Sequence, residues 1–165
     1  SQASVWEPFF FYFFIKMKNY LTLNRIKLVR EKDVEYDAPH IITCPEDAVE
    51  VANAIFDMEN LAEETMIALL LDMKNHVIGA HELSHGTIDC SIANPRELFK
   101  AALLHNASSA ILCHNHPSGN PAPSLDDIKT TEIFMKLGRM MGIEVFDHIV
   151  IGYQTYISIK EKLAK

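Results

Sequence analysis

The chain has 165 residues, 48% of them hydrophobic and 22% charged, with a formal net charge of −7. That length holds one core and not two ordinary domains, and the acidic excess argues against a sequence-independent grip on nucleic acid phosphates, which is built from clustered Lys and Arg. Three cysteines, Cys44, Cys90 and Cys113, are odd in number, widely spaced and without a CxxC pair, a pattern for buried thiols in a reducing cytoplasm and not for a disulfide framework.

In chain order, residues 1–39 read as a lead-in and residues 40–165 as one domain. Residues 9–15, FFFYFFI, are strongly apolar, but so short a run cannot cross a bilayer, and no basic stretch or small-residue cleavage site frames it as a signal peptide. No membrane segment is expected. Met17 reads as a natural start, with residues 1–16 an upstream or non-native extension. PEDAVEVANAIFDM (45–58) opens with Pro and acidic residues and spaces Ala48, Val51, Ile55 and Met58 as a helix does. TMIALLLD (65–72) and HVIGAHELSHGTIDC (76–90) predict two buried strands around a tight turn. NPRELFKAALLHN (94–106), with Pro near its start, predicts a second helix, and SAILCHNH (109–116) a third strand.

A loop rich in Pro and Gly, PSGNPAP (117–123), then leads to Ser124. SLDDIKTTEIFMKLGRMMG predicts a long amphipathic helix closed by Gly142, and IEVFDHIVIG (143–152) with TYISIK (155–160) a final strand pair. The order α, β, β, α, β, α, β, β describes an α/β domain, a mixed β-sheet flanked by helices.

Two stretches look like zinc sites. HELSH (81–85) has the HExxH spacing, which works when a helix puts i and i+4 on one face. Here Gly79 and Gly86 bracket it and β-branched residues flank it. On a strand, His81 and His85 stand about 13 Å apart, at roughly 3.3 Å per residue, too far to share an ion. His114 and His116 are two apart at a strand end, so the period of two turns both rings to one side. The loop then brings Ser124 and Asp127 into the first turn of a helix, where the helix dipole favours an anionic ligand. Ser124 and Asp127 also spell a capping box, which needs no metal, and both readings can hold together. The plainer alternative for His114 and His116 is a pair of solvent-exposed loop histidines, and Asp126 competes with Asp127 as the ligand.

Written out, the second stretch is H-x-H-x7-S-x2-D. It resembles the JAMM signature of MPN-domain metalloproteases, and the wider stretch from GTID through PRELFKAALLHNASSAILCHNHPSGNPAPSLDDIK to GIEVFDHIVIG resembles the bacterial RadC branch, over roughly residues 40–160. The resemblance implies a single JAMM/MPN-type α/β domain with one catalytic zinc. It implies His114, His116 and Asp127 as ligands, with Ser124 hydrogen-bonding at the site and helping to stabilise the transition state. It also implies an upstream Glu as general base, just before the first central strand. In EETMIALLLD the residue eight before Asp72 is Glu64, with Glu63 the nearby rival. Full-length RadC proteins carry a helix-hairpin-helix region ahead of this domain, for which the lead-in has no room, which weakens a DNA-binding inference from the resemblance; with the acidic charge, nucleic acid is not an expected partner.

Three protein ligands leave zinc a position for water, whose pKa falls towards about 7. The expected reaction is therefore hydrolysis of an amide in a peptide or protein substrate, through a peptide or an isopeptide bond. A zinc deaminase has a comparable, cytidine-deaminase-like element order but needs H-x-E and P-C-x-x-C, and the chain has neither. The rivals from other classes are a catalytically silent, partner-binding MPN-like module and a DNA-repair-associated RadC-type protein. His148 is expected either to support the site from a neighbouring strand or to be a satisfied core residue. His40, His76 and His105 read as surface residues, and alternation turns Cys113 away from the site into the core.

Overall fold

The computed structural model describes Leu21, residues 35–86 and residues 93–164. FFFYFFI, Met17, Cys90 and the last four positions of the second predicted strand, 87–90, lie outside the described residues. The elements are α1 (Pro45–Phe56), β1 (Thr65–Leu71), β2 (Val77–His85), α2 (Pro95–Leu104), β3 (Ser109–Asn115), α3 (Leu125–Met141), β4 (Glu144–Gly152), β5 (Thr155–Ser158) and α4 (Ile159–Leu163). The sheet order is β2-β1-β3-β4-β5, with β3 and β4 parallel and the other neighbours antiparallel. The predicted mixed α/β sheet is therefore the observed one.

β1 and β3 are apolar along most of their length and buried at every position, so they need cover on both faces. Alternation sorts their side chains into two cores. Ala68, Leu70, Ala110 and Leu112 pack with Leu98 and Phe99 of α2 and Phe134 of α3. Ile67, Leu69, Ile111 and Cys113 face the other way, with Ala48, Val51 and Ala52 of α1. A buried Leu contributes about 1.5–3 kcal/mol relative to leaving it in water, so this two-sided burial fixes the register that sets β3 opposite both β1 and β4.

Four sequence expectations are corrected. Cys44, expected as a buried thiol, is exposed at the N-cap of α1. The first helix ends at Phe56 and not at Met58, because Asp57 turns left-handed (φ 53°) and a short 3-10 turn, Met58–Asn60, follows. Asp tolerates that conformation, and Asn60 Nδ2 donates to its carboxylate at 2.7 Å. β2 is not a buried strand: only Val77 and Leu83 are buried, since β2 is an edge of the sheet. TYISIK splits after Ser158. The Lys160 N–H donates to buried Asp147 at 3.2 Å and the Ser158 hydroxyl accepts from the Glu161 N–H at 3.1 Å, which starts α4 where the strand was expected to continue.

The end of β3 is where the chain meets several elements at once. β3 runs into a loop, the loop into α3, and α3 returns the chain to parallel β4, so the C-terminal ends of two adjacent parallel strands open beside a helix N-terminus. In open α/β sheets this is where ligands bind. Gly142 ends α3 in the left-handed region (φ 69°), which a residue with a Cβ enters at a cost.

Candidate metal centre

His114 is the penultimate residue of β3 and is completely buried. His116 lies two residues on, and its N–H donates to Ile151 O at 2.9 Å, which extends the β3–β4 pairing and keeps its ring on the same side. The Nε2 atoms of the two rings are 3.0 Å apart. The next residues turn sharply, with Gly119 N–H donating to His116 O and Tyr153 N–H to Gly119 O. Gly152 is required there, because a Cβ on it would lie 2.3 Å from the Gly119 carbonyl oxygen. Docked on the end of β4, the loop delivers Ser124 as the N-cap of α3.

The predicted capping box is present. Asp127 N–H donates to Ser124 Oγ at 3.1 Å, while the Ser124 N–H and hydroxyl donate to Asp127 Oδ2 at 2.6 and 2.7 Å. The same carboxylate faces the histidines, with Oδ1 3.4 Å from His114 Nε2 and Oδ2 3.6 Å from His116 Nε2. Capping and the approach to the histidines are thus one geometry. Asp126, the sequence rival, points to solvent and pairs with Lys129 at 3.2 Å.

Glu64 precedes β1. The antiparallel register pairs Met66 with His114, so Glu64, two residues earlier, comes opposite His116. One donor atom from each of Glu64, His114, His116 and Asp127 lies within 4.8 Å of all the others. Glu63 turns away and pairs with His85 Nε2 at 3.0 Å. HELSH is strand, as expected, and neither His81 nor His85 belongs to the cluster. His40 is exposed, His76 and His105 are half-buried, and all three lie elsewhere.

Two contributors have no counterpart among the sequence expectations. Asn115, between the two histidines, points to the opposite side of β3 and clamps the segment that carries Glu64. Its Oδ1 accepts from the Thr65 N–H at 2.8 Å and its Nδ2 donates to the carbonyls of Leu61 and Glu63 at 3.3 and 3.2 Å. Thr131, one turn along α3 from Asp127, donates its hydroxyl to Asp127 O at 2.7 Å and meets His148 Nδ1 at 2.6 Å. A polar residue inside a strand buried at every position is the only signal that Asn115 gives. Asn115→Ala strands the buried Thr65 N–H, and we expect it to cost about 1–3 kcal/mol in urea denaturation; an unchanged midpoint would show that the clamp is dispensable.

Electrostatically the site is graded from a dry floor to a wet rim. Burial pushes the His114 imidazole down to about 4, against the pull of the Asp127 charge, so it is neutral at pH 7. His116, partly exposed, is raised above the usual imidazole range, chiefly by Asp127 and further by its bond to Asn120 O and the charge of Glu64. Burial opposes ionisation of Asp127, but the approach of His116, the charge of His114 and the Ser124 cap together hold its carboxyl well below the usual carboxylate range. His148, fully buried, is pushed well below the usual imidazole range by desolvation and then by His114.

The donor set fits a divalent metal. His116 Nδ1 lies 2.8 Å from the Asn120 carbonyl, which can only accept, so this nitrogen carries the proton. In the neutral ring, the form that binds a metal, Nε2 then carries the lone pair, turned toward another imidazole nitrogen and a carboxylate. Two nitrogens and two carboxylates converging in this way are the ligand types of zinc.

A mixed α/β domain with H-x-H at the end of its central strand and an S-x-x-D helix start beside it has the architecture of the JAB/MPN domains. The chain belongs to the RadC-like JAB domain family, whose model matches residues 42–164. Among its relatives, a UPF0758 protein of Geobacillus thermodenitrificans is 43% identical over 127 residues, covering 77% of this chain and 55% of the relative. A UPF0758 protein of Shouchella clausii is 45% identical over 122 residues, 74% of this chain and 52% of the relative. One of Clostridium perfringens is 46% identical over 114 residues, 68% of this chain and 50% of the relative. The chain spans about half the length of the curated relatives it matches.

Proposed function

We propose that this domain is a zinc-dependent hydrolase that cleaves an amide, a peptide or isopeptide bond, in a peptide or protein substrate. The observation that carries the reading is the convergence of Glu64, His114, His116 and Asp127 within 4.8 Å. His114, His116 and Asp127 hold the metal, and Glu64 works beside it. When bound, zinc supplies a Lewis acid that makes water acidic near pH 7 and polarises a carbonyl.

The protein's own groups do the rest. Glu64 is exposed at the rim, so its carboxylate meets incoming water and substrate, takes the proton released on attack and returns it to the leaving amine. Ser124 holds Asp127 in register through its N–H, and its hydroxyl, at the edge of the site, rotates away from Asp127 Oδ2 to donate to the developing oxyanion. His114 forms the floor and keeps solvent from that side. Among the described residues no helix is long and apolar enough to cross a membrane.

The test is hydrolysis of a library holding both peptide and isopeptide bonds, before and after chelation and after zinc is restored. Activity that disappears with the metal and returns with about one zinc per chain supports the reading. Cleavage that survives chelation overturns it, and a zinc-loaded protein that cleaves nothing favours the partner-binding module.

A further inference from the structure

His148 and Thr131 form a hydrogen-bond relay behind the metal centre, and its proton positions follow from counting donors. Thr131 has one hydroxyl proton. Its Oγ1 lies 2.7 Å from the backbone carbonyl of Asp127, an acceptor only, so the proton lies between them. The 2.6 Å contact between Oγ1 and His148 Nδ1 must therefore be donated by the ring. His148 is completely buried and among the described residues neither ring nitrogen meets a carboxylate, Nδ1 facing Thr131 and Nε2 facing His114, so the ring carries one proton, on Nδ1. Its Nε2 is an acceptor, and His114 Nδ1, 2.8 Å away, has to donate to it. The one proton of His114 is then on Nδ1, and its Nε2 presents a lone pair to Asp127 and His116.

We propose that His148 and Thr131 are positioning residues that lock His114 in the tautomer with Nε2 free for a metal, through a relay that starts at the backbone of a second ligand, Asp127. The proposal rests on the reading of His114 as a metal ligand. The relay leaves Asp127 by its carbonyl, passes through Thr131 and His148 and ends at His114, whose unprotonated Nε2 lies 3.4 Å from the carboxylate of that same Asp127. Strand geometry makes it possible. Leu112 pairs with His148 and His114 with Val150 across parallel β3 and β4, so the two rings are diagonal neighbours on the face that α3 covers. Their centroids are 4.8 Å apart. Thr131 is one helical turn beyond Asp127, which sets its hydroxyl over its own i−4 carbonyl and against the His148 ring. Outer partners of this kind hold ring orientation and tautomer, and losing one typically costs about 10–100-fold in metal affinity.

The experiment is imidazole ¹⁵N NMR on the full chain, zinc-loaded and after chelation, together with zinc affinity by chelator competition. His114 and His148 are both expected to be protonated on Nδ1 in either form. Thr131→Val is expected to weaken zinc by about 10–100-fold, and Thr131→Ser, which keeps the hydroxyl, to restore it to within a few-fold. A proton on His114 Nε2 after chelation overturns the relay without any variant having to fold. Unchanged zinc affinity in Thr131→Val overturns its role in metal binding. If the wild type takes up no zinc, the metal-centre reading fails, while the tautomers of the chelated protein still decide whether the lock exists.

Discussion

Glu64→Gln is expected to lower hydrolysis by about 10²–10⁴-fold while zinc stays bound, the usual loss when a positioned base is removed. The amide keeps the size of the carboxylate and cannot take a proton, and the proposed ligands His114, His116 and Asp127 are held by groups that do not involve Glu64: the strand pairing, the Asn120 carbonyl and the Ser124 cap. Glu63→Gln is the control. Its side chain pairs with His85 on the exposed surface, and such pairs contribute only about 0–1 kcal/mol, so zinc content and activity should both stay at the wild-type level. Zinc content together with turnover separates the two roles open to Glu64. If Glu64→Gln loses its zinc, Glu64 is a ligand and not the base; if it keeps both zinc and activity, the base lies elsewhere.

What the sequence disclosed about this site was whatever depends on local geometry. H-x-H on a strand and S-x-x-D at a helix start are set by periods of two and by the first helical turn, so their residues could be named in advance, and so could the helix closed by Gly142. Glu64 was preferred to Glu63 by resemblance; its position opposite His116 follows from the β1–β3 register, which is not a local property. Asn115 bonds to a residue 50 positions away and Thr131 to one 17 positions away, distances at which no spacing rule operates. The exposure of β2 was hidden for a similar reason: edge position depends on the order of the whole sheet. In TYISIK the local signal was present and lost, because the buried carboxylate of Asp147 draws in the Lys160 N–H and the Ser158 hydroxyl.

The largest change in metal content is expected from His114→Ala combined with His116→Ala, which should abolish stoichiometric zinc. These rings supply both nitrogen donors of the cluster, and the remaining carboxylates are poor zinc sites by themselves, since zinc prefers nitrogen or sulfur alongside oxygen. The matched variant, His81→Ala with His85→Ala, removes as many histidines from HELSH and should change nothing. Both lie on the edge strand β2, where His81 comes opposite Ala68 and His85 opposite Thr65; among the described residues His85 bonds to the Thr65 hydroxyl and Glu63. Circular dichroism has to accompany the elemental analysis, because removing buried His114 also takes away the donor to His148 Nε2 and costs stability by that route. A folded His114/His116 variant that keeps one zinc per chain would move the metal away from β3. Loss of zinc from a folded His81/His85 variant would move it to the edge strand, against the separation of about 13 Å that a strand imposes on those two rings.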